Sequence, residues 1–518
     1  MKNYAYPLAG LLVVAGTSAS CKSQKEDDAK SDMPRPNVIV VIADDLGFGD
    51  VSFYGSKTIN TPNIDSLARG GVCFNNAYAS SSTSTPSRYS LLTGMYPWRE
   101  NVRILPGDAP LVIPDTIPTL PRMMQAAGYA TGAIGKWHLG MGSGRVNWND
   151  TIRPGAREIG FDYSCLIAAT NDRVPTVYVR NGAVVGLDPA DPIYVDYEKN
   201  FDGEPTALDN PDMLRMEWSH GHNNSIVNGI PRIGYMTGGK AARWVDEDMA
   251  DFFLGEVKGF LQANKDKPFF LYYGLHQPHV PRAPHGRFAG SSGMGPRGDA
   301  IMEADWCVGE LMAELRRLDL LDNTMIIFTS DNGPVLDDGY KDSAVELALA
   351  AGHQPAGGLR GGKYSLFDGG THIPLCIYWK GHITPVVSDA LVCQMDLMAS
   401  LGRYIGAEVP QGLDSHAIMP AFLGEDMHGR DDLIIENQGK LGLRCGDYAF
   451  MPPYKGPERN LSGNELGNLK EYGLYNLRED PAQLDNIAAR YPGLKDSIEA
   501  VFADRAGEFY RPCVESKK

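Results

Sequence analysis

Four places in the sequence gather side chains that bind cations or move protons, and each follows a run of apolar residues. Asp44-Asp45 ends the first run, Lys136-Trp137-His138 the second, His276-Gln277-Pro278-His279 the third and Asp331-Asn332 the fourth. Two aspartates from one run end, with an aspartate and an asparagine from another, make an all-oxygen donor set suited to a hard cation such as Ca2+. A fifth segment, Ser84-Thr85-Pro86-Ser87-Arg88, follows a stretch of Ser and Thr. Pro86 suits the opening of a helix, which would leave unpaired backbone N–H groups and the positive dipole end beside Ser84, a seat for an anion. Each piece also has a plainer reading. Asp44-Asp45 and Asp331-Asn332-Gly333 are capping and turn sequences, and Ser84 fits an ordinary capped helix after a polar loop. What sets the pieces apart is their shared place behind apolar runs.

Those runs are residues 37–43, 131–135, 269–275 and 324–330. They are continuous rather than alternating, which fits strands buried on both faces of a parallel sheet. Helices should cover that sheet. Met249, Phe252, Phe253, Val257, Phe260 and Leu261 share one face of a segment beginning near Val245, and Ile301, Val308, Leu311, Met312, Leu315 and Leu318 do so before the last run. The fold class is therefore α/β, and ligands of open α/β sheets bind beyond the carboxyl ends of the strands. Four such ends would bring the carboxylates, the amide, Lys136 and the histidines to one crevice.

The chain has 518 residues, enough for one large domain and a smaller one. Its formal charge of −16, 48 basic against 64 acidic residues, argues against nucleic acid as the main partner. An anionic small substrate requires a local basic pocket in an acidic body. Residues 1–20, with Lys2, an apolar stretch and Thr17-Ser18-Ala19-Ser20 before Cys21, read as a lipoprotein signal peptide, and a plain secretory peptide is the alternative. Residues 21–35 are too polar to fold alone and read as a tether. Membrane attachment is expected only through a lipid on Cys21, with the protein exported and held at the cell envelope. The other cysteines show no zinc spacing and are expected to serve as core residues.

Ser84-Thr85-Pro86-Ser87-Arg88, followed by Leu92-Thr93-Gly94, resembles the signature of the type I, formylglycine-dependent sulfatases, C/S-x-P-S-R followed by L-T-G. The likeness continues at Asp44-Asp45, Gly135-Lys136-Trp137-His138-Leu139-Gly140, Pro278-His279-Val280-Pro281, Asp331-Asn332-Gly333, Leu359-Arg360-Gly361-Gly362-Lys363 and Leu474-Tyr475-Asn476-Leu477. It implies an alkaline-phosphatase-like fold, a mixed sheet between helices with a smaller C-terminal antiparallel sheet packed by a helix. The corresponding divisions are a catalytic domain over residues 36–430 and a subdomain over 431–518.

The resemblance also implies a mechanism. Ser84 would be oxidised to formylglycine by a radical-type maturating enzyme, and one hydroxyl of the hydrate would bind Ca2+ and attack sulfur. Asp44, Asp45, Asp331 and Asn332 would complete the metal site. Arg88 would brace the hydrate, Lys136 and Lys363 would clamp sulfate oxygens, His279 would protonate the departing sugar oxygen, and His138 would take the proton from the second hydroxyl. The implied substrate is a sulfated carbohydrate, with galactose or N-acetylhexosamine of a host or algal glycan expected. Asp172, Arg173, His220, His222, Asn224, His276, His353 and Arg360 are candidate substrate contacts, most of them on the irregular segments that rim such a site. Two rival readings are a phosphoester or phosphonate hydrolase of the same fold and a glycan-binding lipoprotein without catalysis. The first is disfavoured because Asp331-Asn332 stands where a two-zinc site carries Asp-His.

Overall fold

The computed structural model describes residues 35–510. The expected signal peptide, Cys21 and nearly all of the tether lie outside the described residues, as does Cys513. Ten strands form one sheet: β1 (Asn37–Ala43), β2 (Val72–Phe74), β3 (Ala130–Lys136), β4 (Tyr163–Ile167), β5 (Tyr178–Arg180), β6 (Ala183–Val184), β7 (Phe269–Gly274), β8 (Thr324–Ser330), β9 (Leu375–Tyr378) and β10 (Val386–Ser388). Their spatial order is β10-β2-β9-β8-β1-β7-β3-β4-β5-β6. The centre, β8-β1-β7-β3-β4, is parallel throughout, while β9 runs against β8 and β2, and β5 against β4. The four apolar runs are thus neighbours. β1 and β8 pair from Asn37↔Thr324 to Ala43↔Ser330, so Asp44 and Asp331 leave the sheet at the same level.

Side chains alternate across a strand, and the runs divide between two cores accordingly. Val38, Val40, Ile42, Phe270, Tyr272, Met325 and Ile327 face one side; Ile39, Val41, Ala43, Phe269, Leu271, Tyr273, Ile326 and Phe328 face the other. The helices that matter for the packing are α1 (Pro62–Arg69), α2 (Ser84–Thr93), α3 (Leu120–Ala126), α4 (Met249–Asn264), α5 (Gly295–Arg317), α6 (Leu397–Tyr404) and α7 (Pro492–Ala506), and two short ones span Ala344–Ala351 and Met419–Phe422. The first core is closed by α2, α3 and α6, and the second by α1, α4 and α5. A 3-10 turn over Asp246–Asp248 precedes α4, so the helix opens later than the apolar spacing suggests. Phe252 stacks on Tyr178 at the flank, ring centroids 3.8 Å apart. Where β3 and β7 end, Gly135 (φ +101°) lies so close to the Gly274 carbonyl that a Cβ would stand 1.9 Å from its oxygen. Only glycine permits that approach.

The C-terminal antiparallel sheet comprises β11 (Asp432–Asn437), β12 (Lys440–Cys445), β13 (Tyr448–Met451) and β14 (Gly473–Asn476). Its face bearing Ile434, Leu441, Leu443, Phe450 and Leu474 packs with Ile498, Phe502 and Ala506 of α7. β11 and β12 are joined by Gln438 (φ +48°) and Gly439 (φ +84°), the two left-handed residues of a tight hairpin that suits the twist of paired strands. Cys73, Cys165, Cys307, Cys376 and Cys393 are buried free thiols, as their apolar settings require.

Candidate active site

α2 opens at Ser84, two residues before Pro86, with Thr83 in extended conformation as its cap. It ends at Gly94, whose left-handed backbone (φ +67°) lets its N–H bond the Ser90 carbonyl. Every residue of the helix is buried, and Ser84 forms the floor of a cavity of about 430 Å3. Lys136, arriving at the end of β3, donates from Nζ to Ser84 Oγ at 2.9 Å and lies 2.5 Å from Asp44 Oδ1. Ser84 Oγ also stands 3.3 Å from Asp44 Oδ1 and 3.4 Å from Asn332 Oδ1. Arg88, one turn along α2, does not reach Ser84. Its guanidinium holds Asp331 through Nε at 3.0 Å and Nη2 at 2.9 Å, and donates from Nη1 to the Tyr272 hydroxyl at 2.6 Å. Lys363 Nζ bridges Asp45 (2.8 Å) and Asp338 (2.7 Å).

Four carboxylates therefore face three cations: Asp44, Asp45, Asp331 and Asp338 against Arg88, Lys136 and Lys363. Burial pushes the Asp44 carboxyl well above the usual range, with Lys136 opposing and the Asp331 and Asp45 charges adding to the rise. For Asp331 the burial penalty is overcome by Arg88 and Lys136, and its carboxyl stays well below the usual range. Asp44 Oδ2 is fully buried and has no hydrogen-bond partner. Ligand-capable atoms of Asp44, Asp45 and His279 lie within 4.8 Å of one another. Asn332 donates its amide N–H to Asp45 at 2.8 Å, which turns its oxygen toward Ser84. An orphaned carboxylate oxygen, a surplus of negative charge and a set of oxygen donors fit a hard divalent cation.

The two site histidines differ in which nitrogen is free. His138 Nε2 faces the Leu105 carbonyl at 2.9 Å, an acceptor only, so that nitrogen carries the proton; buried Nδ1 has no partner. Burial, with Arg173 and Lys136 adding, keeps its pKa well below the ordinary value. His279 is the reverse: Nδ1 faces the Val280 carbonyl at 2.6 Å, and Nε2 points toward Asp45 Oδ2 at 3.8 Å. Burial and the Lys363 charge bring its pKa down to about 4. Asp45, His138 and Tyr364 adopt positive φ (63°, 57° and 71°). Such backbone costs about 1–3 kcal/mol per non-glycine residue and persists where the surroundings dictate it.

The family model for sulfatases matches residues 36–407. The chain belongs to the sulfatase family. This sulfatase is 47% identical to an N-acetylgalactosamine-6-O-sulfatase of Bacteroides thetaiotaomicron over 491 residues, 94% of this chain and 95% of that protein. It is 32% identical to human arylsulfatase A, covering 89% of this chain and 85% of the relative. A solved B. thetaiotaomicron structure, described under the metabolism of multiple glycosaminoglycans, superposes with a TM-score of 0.89 at 47% identity, covering 91% of this chain and 99% of that one. The fold is that of the sulfatases, and the protein is a sulfuric ester hydrolase.

Of the sulfatase's predicted rim residues, Asp172, Arg173, His220 and His222 line the cavity. Asp172 accepts from His222 Nε2 at 2.9 Å and pairs with Arg173 at 3.1 Å. Four others are placed elsewhere. Asn224 is occupied by the Tyr235 hydroxyl and the Gly234 N–H, each at 2.9 Å. His276 is buried off the cavity, its pKa lowered to about 3 by burial. His353 lies between Asp50 (2.8 Å) and Thr58 (2.7 Å), in a buried group completed by Arg297. Arg360 turns to Glu465 (2.5 Å) and the Gln483 carbonyl (2.8 Å), stacked over Phe367. Proximity in sequence to Lys363 therefore does not carry His353 or Arg360 into the site. Sequence reasoning missed Asp338, Tyr364 and the contributions of the C-terminal region, Asn437, Gln438, Lys440, Asn460, Leu461 and Ser462. Asp338 follows Asp331-Asn332-Gly333 within the same stretch, which was the one available signal.

Proposed function

We propose that this sulfatase releases inorganic sulfate from the 6-O-sulfate ester of N-acetylgalactosamine in a glycan. The observation that carries the chemistry is Ser84 at the first position of α2, on a cavity floor, with Lys136 Nζ 2.9 Å from its hydroxyl and hard oxygen donors around it. The near-full-length likeness to the B. thetaiotaomicron N-acetylgalactosamine-6-O-sulfatase supports the sugar and the carbon. Conversion of Ser84 to formylglycine by a radical-type maturating enzyme would supply an aldehyde whose hydrate is a strong oxygen nucleophile. Asp44, Asp45, Asp331 and Asn332, with position 84, would hold one Ca2+, which when bound polarises sulfate oxygens and lowers the pKa of a coordinated hydroxyl.

The remaining work falls to side chains. Lys136 and Lys363 bind sulfate oxygens and offset their charge, each already anchored by a carboxylate. Arg88 keeps Asp331 ionised and aimed. His279 presents Nε2 for the proton that the departing sugar oxygen needs; a bound sulfate ester anion favours the charged ring, so the proton arrives with the substrate. His138 offers the lone pair of Nδ1 to a proton at position 84. Asp172, Arg173, His220 and His222 form the wall that selects the sugar. We place the enzyme outside the cytoplasm, tethered by a lipid on Cys21. None of the described helices is long and apolar enough to cross a membrane.

The test of this reading is sulfate release from N-acetylgalactosamine 6-sulfate beside the 4-sulfate isomer and N-acetylglucosamine 6-sulfate. Preference for the first supports it; preference for either of the others overturns the assignment of carbon or sugar.

A further inference from the structure

The wall that selects the sugar is built from two separate stretches of chain. Asp172 and Arg173 follow β4, His222 comes 50 residues after Asp172, and the two stretches meet where His222 Nε2 contacts the Asp172 carboxylate at 2.9 Å. Neither Asp172 nor His222 lies on a strand of the large sheet, so their spacing must be set by what stands behind them.

Arg232 stands there. It is fully buried and does not itself line the cavity, whereas the adjoining Ile233 does. The Arg232 backbone is tied to the His222 stretch, donating its N–H to the Ser225 carbonyl at 2.9 Å and accepting from the Asn224 N–H at 3.0 Å. Ile233 is tied to the other stretch, donating to the Asp172 carbonyl at 2.8 Å and accepting from the Val174 N–H at 3.1 Å. The guanidinium completes the junction with its four outer N–H groups. Nη1 donates to the Asn171 carbonyl at 2.5 Å and to Asp246 Oδ1 at 2.9 Å, and Nη2 to the Val227 carbonyl at 3.1 Å and to Asp246 Oδ2 at 2.7 Å. Asp246, itself buried, begins the 3-10 turn that leads into α4, so the junction is fastened to a helix of the second core. A buried ion pair adds little net stability, because desolvation offsets the attraction. What the planar guanidinium adds is direction: one rigid fork holds two carbonyls and a carboxylate together, which an ammonium cannot span.

We infer that Arg232 is a positioning residue for sugar recognition. Through the Asn171 and Val227 carbonyls its side chain holds the two stretches in register, which sets Asp172 and His222 at the spacing that fits the sugar hydroxyls, while the sulfate end of the site is left untouched. This rests on the reading above in which that wall selects N-acetylgalactosamine.

The experiment compares matured wild type with Arg232→Lys, which keeps a charge facing Asp246 but loses the fork, and with Asp246→Asn, which weakens the ion pair but leaves the fork on both carbonyls. The substrates are N-acetylgalactosamine 6-sulfate and N-acetylglucosamine 6-sulfate. Arg232→Lys should raise KM for the first by roughly tenfold with kcat within about threefold, and should cut the preference for it over the second by a similar factor. Competitive inhibition by inorganic sulfate should stay within about twofold of wild type, because the floor formed by Ser84 and Lys136 is unchanged. Asp246→Asn should lower the thermal midpoint while KM stays within about twofold. The double variant Arg232→Gln with Asp246→Asn leaves no buried charge unpaired, and it should repeat the KM change of Arg232→Lys even if the latter folds poorly. Equal KM changes in Arg232→Lys and Asp246→Asn would mean that the pair serves stability alone and overturn the inference, as would an unchanged KM and preference in the double variant. Asp172→Ala separates the two readings: a sugar preference that survives there contradicts the assignment of the wall itself, whereas a preference lost in Asp172→Ala and kept in Arg232→Lys and the double variant overturns the role of Arg232 alone.

Discussion

Tyr272→Phe removes one oxygen from beneath the active site and nothing else. The hydroxyl is fully buried and accepts from Arg88 Nη1 at 2.6 Å; the other acceptor near that nitrogen is the Lys136 carbonyl, at 3.4 Å. A lost hydrogen bond to a buried charge costs about 1.5–3 kcal/mol. The ring stays, so no large cavity adds to that figure. Thermal midpoints of a body this size move by roughly 1–2 °C per kcal/mol, so the midpoint should fall by about 2–5 °C. Arg88 keeps its two contacts to Asp331, so sulfate release should fall by less than about tenfold, through kcat rather than KM. The assays are thermal unfolding followed by circular dichroism, and steady-state sulfate release. An unchanged midpoint would refute the claim that Tyr272 satisfies the Arg88 charge, and a loss of activity beyond a thousandfold would mean that the tyrosine touches the reaction itself.

Lys136→Met removes the ammonium beside Ser84 and leaves Asp44 without its cation, so kcat should drop by about 10^3 or more, read as sulfate release from matured protein. Chelation of divalent ions should abolish activity and lower the thermal midpoint, with both restored by Ca2+; a site held at a hundred times its Kd contributes about 3 kcal/mol. Arg430, buried with Nε and Nη2 on Asp396 at 2.6 and 2.5 Å, should cost about 3–5 kcal/mol of stability when replaced by Ala, by denaturant unfolding, while KM at low temperature is unchanged. Burial raises the Glu303 carboxyl to about 7, above its unfolded value near 4.3. The folded state then holds the extra proton between those values, so this group's stabilisation is full below about pH 4.3 and is lost as pH rises through about 7. Glu303→Gln should therefore gain on wild type between pH 5 and 8, by up to about 2–3 kcal/mol in denaturant midpoints.

The centre of the fold was legible because a parallel sheet covered on both faces leaves continuous apolar runs. β1 and β8 match residues 37–43 and 324–330 to the residue. The short strands at one end of the sheet were not legible: β2 and β10 have three residues each, too short for a period to show. Among site residues, those that follow a central strand were visible, since Asp44, Lys136 and Asp331 sit where an apolar run stops. Lys440 carries no local signal, and Asp338 only its nearness to Asp331-Asn332-Gly333. One reaches the cavity through a hairpin in the C-terminal sheet, where Glu436 bridges to the distant Ser81, and the other through a loop after β8, so both placements depend on the path of the chain beyond the local pattern. His353 shows the opposite failure. Its type suggested a ligand contact, but a buried histidine between a carboxylate and a threonine is fully used by the fold.

The central claim is that Ser84 is the residue from which the nucleophile is made. Its most direct test is sulfate release from N-acetylgalactosamine 6-sulfate by protein produced with a radical-type maturating enzyme, with formylglycine at position 84 verified by mass spectrometry, beside a Ser84→Ala variant of equal thermal midpoint. The account predicts release by the matured protein and none above background by the variant. Release at comparable rates from the Ser84→Ala protein would contradict it.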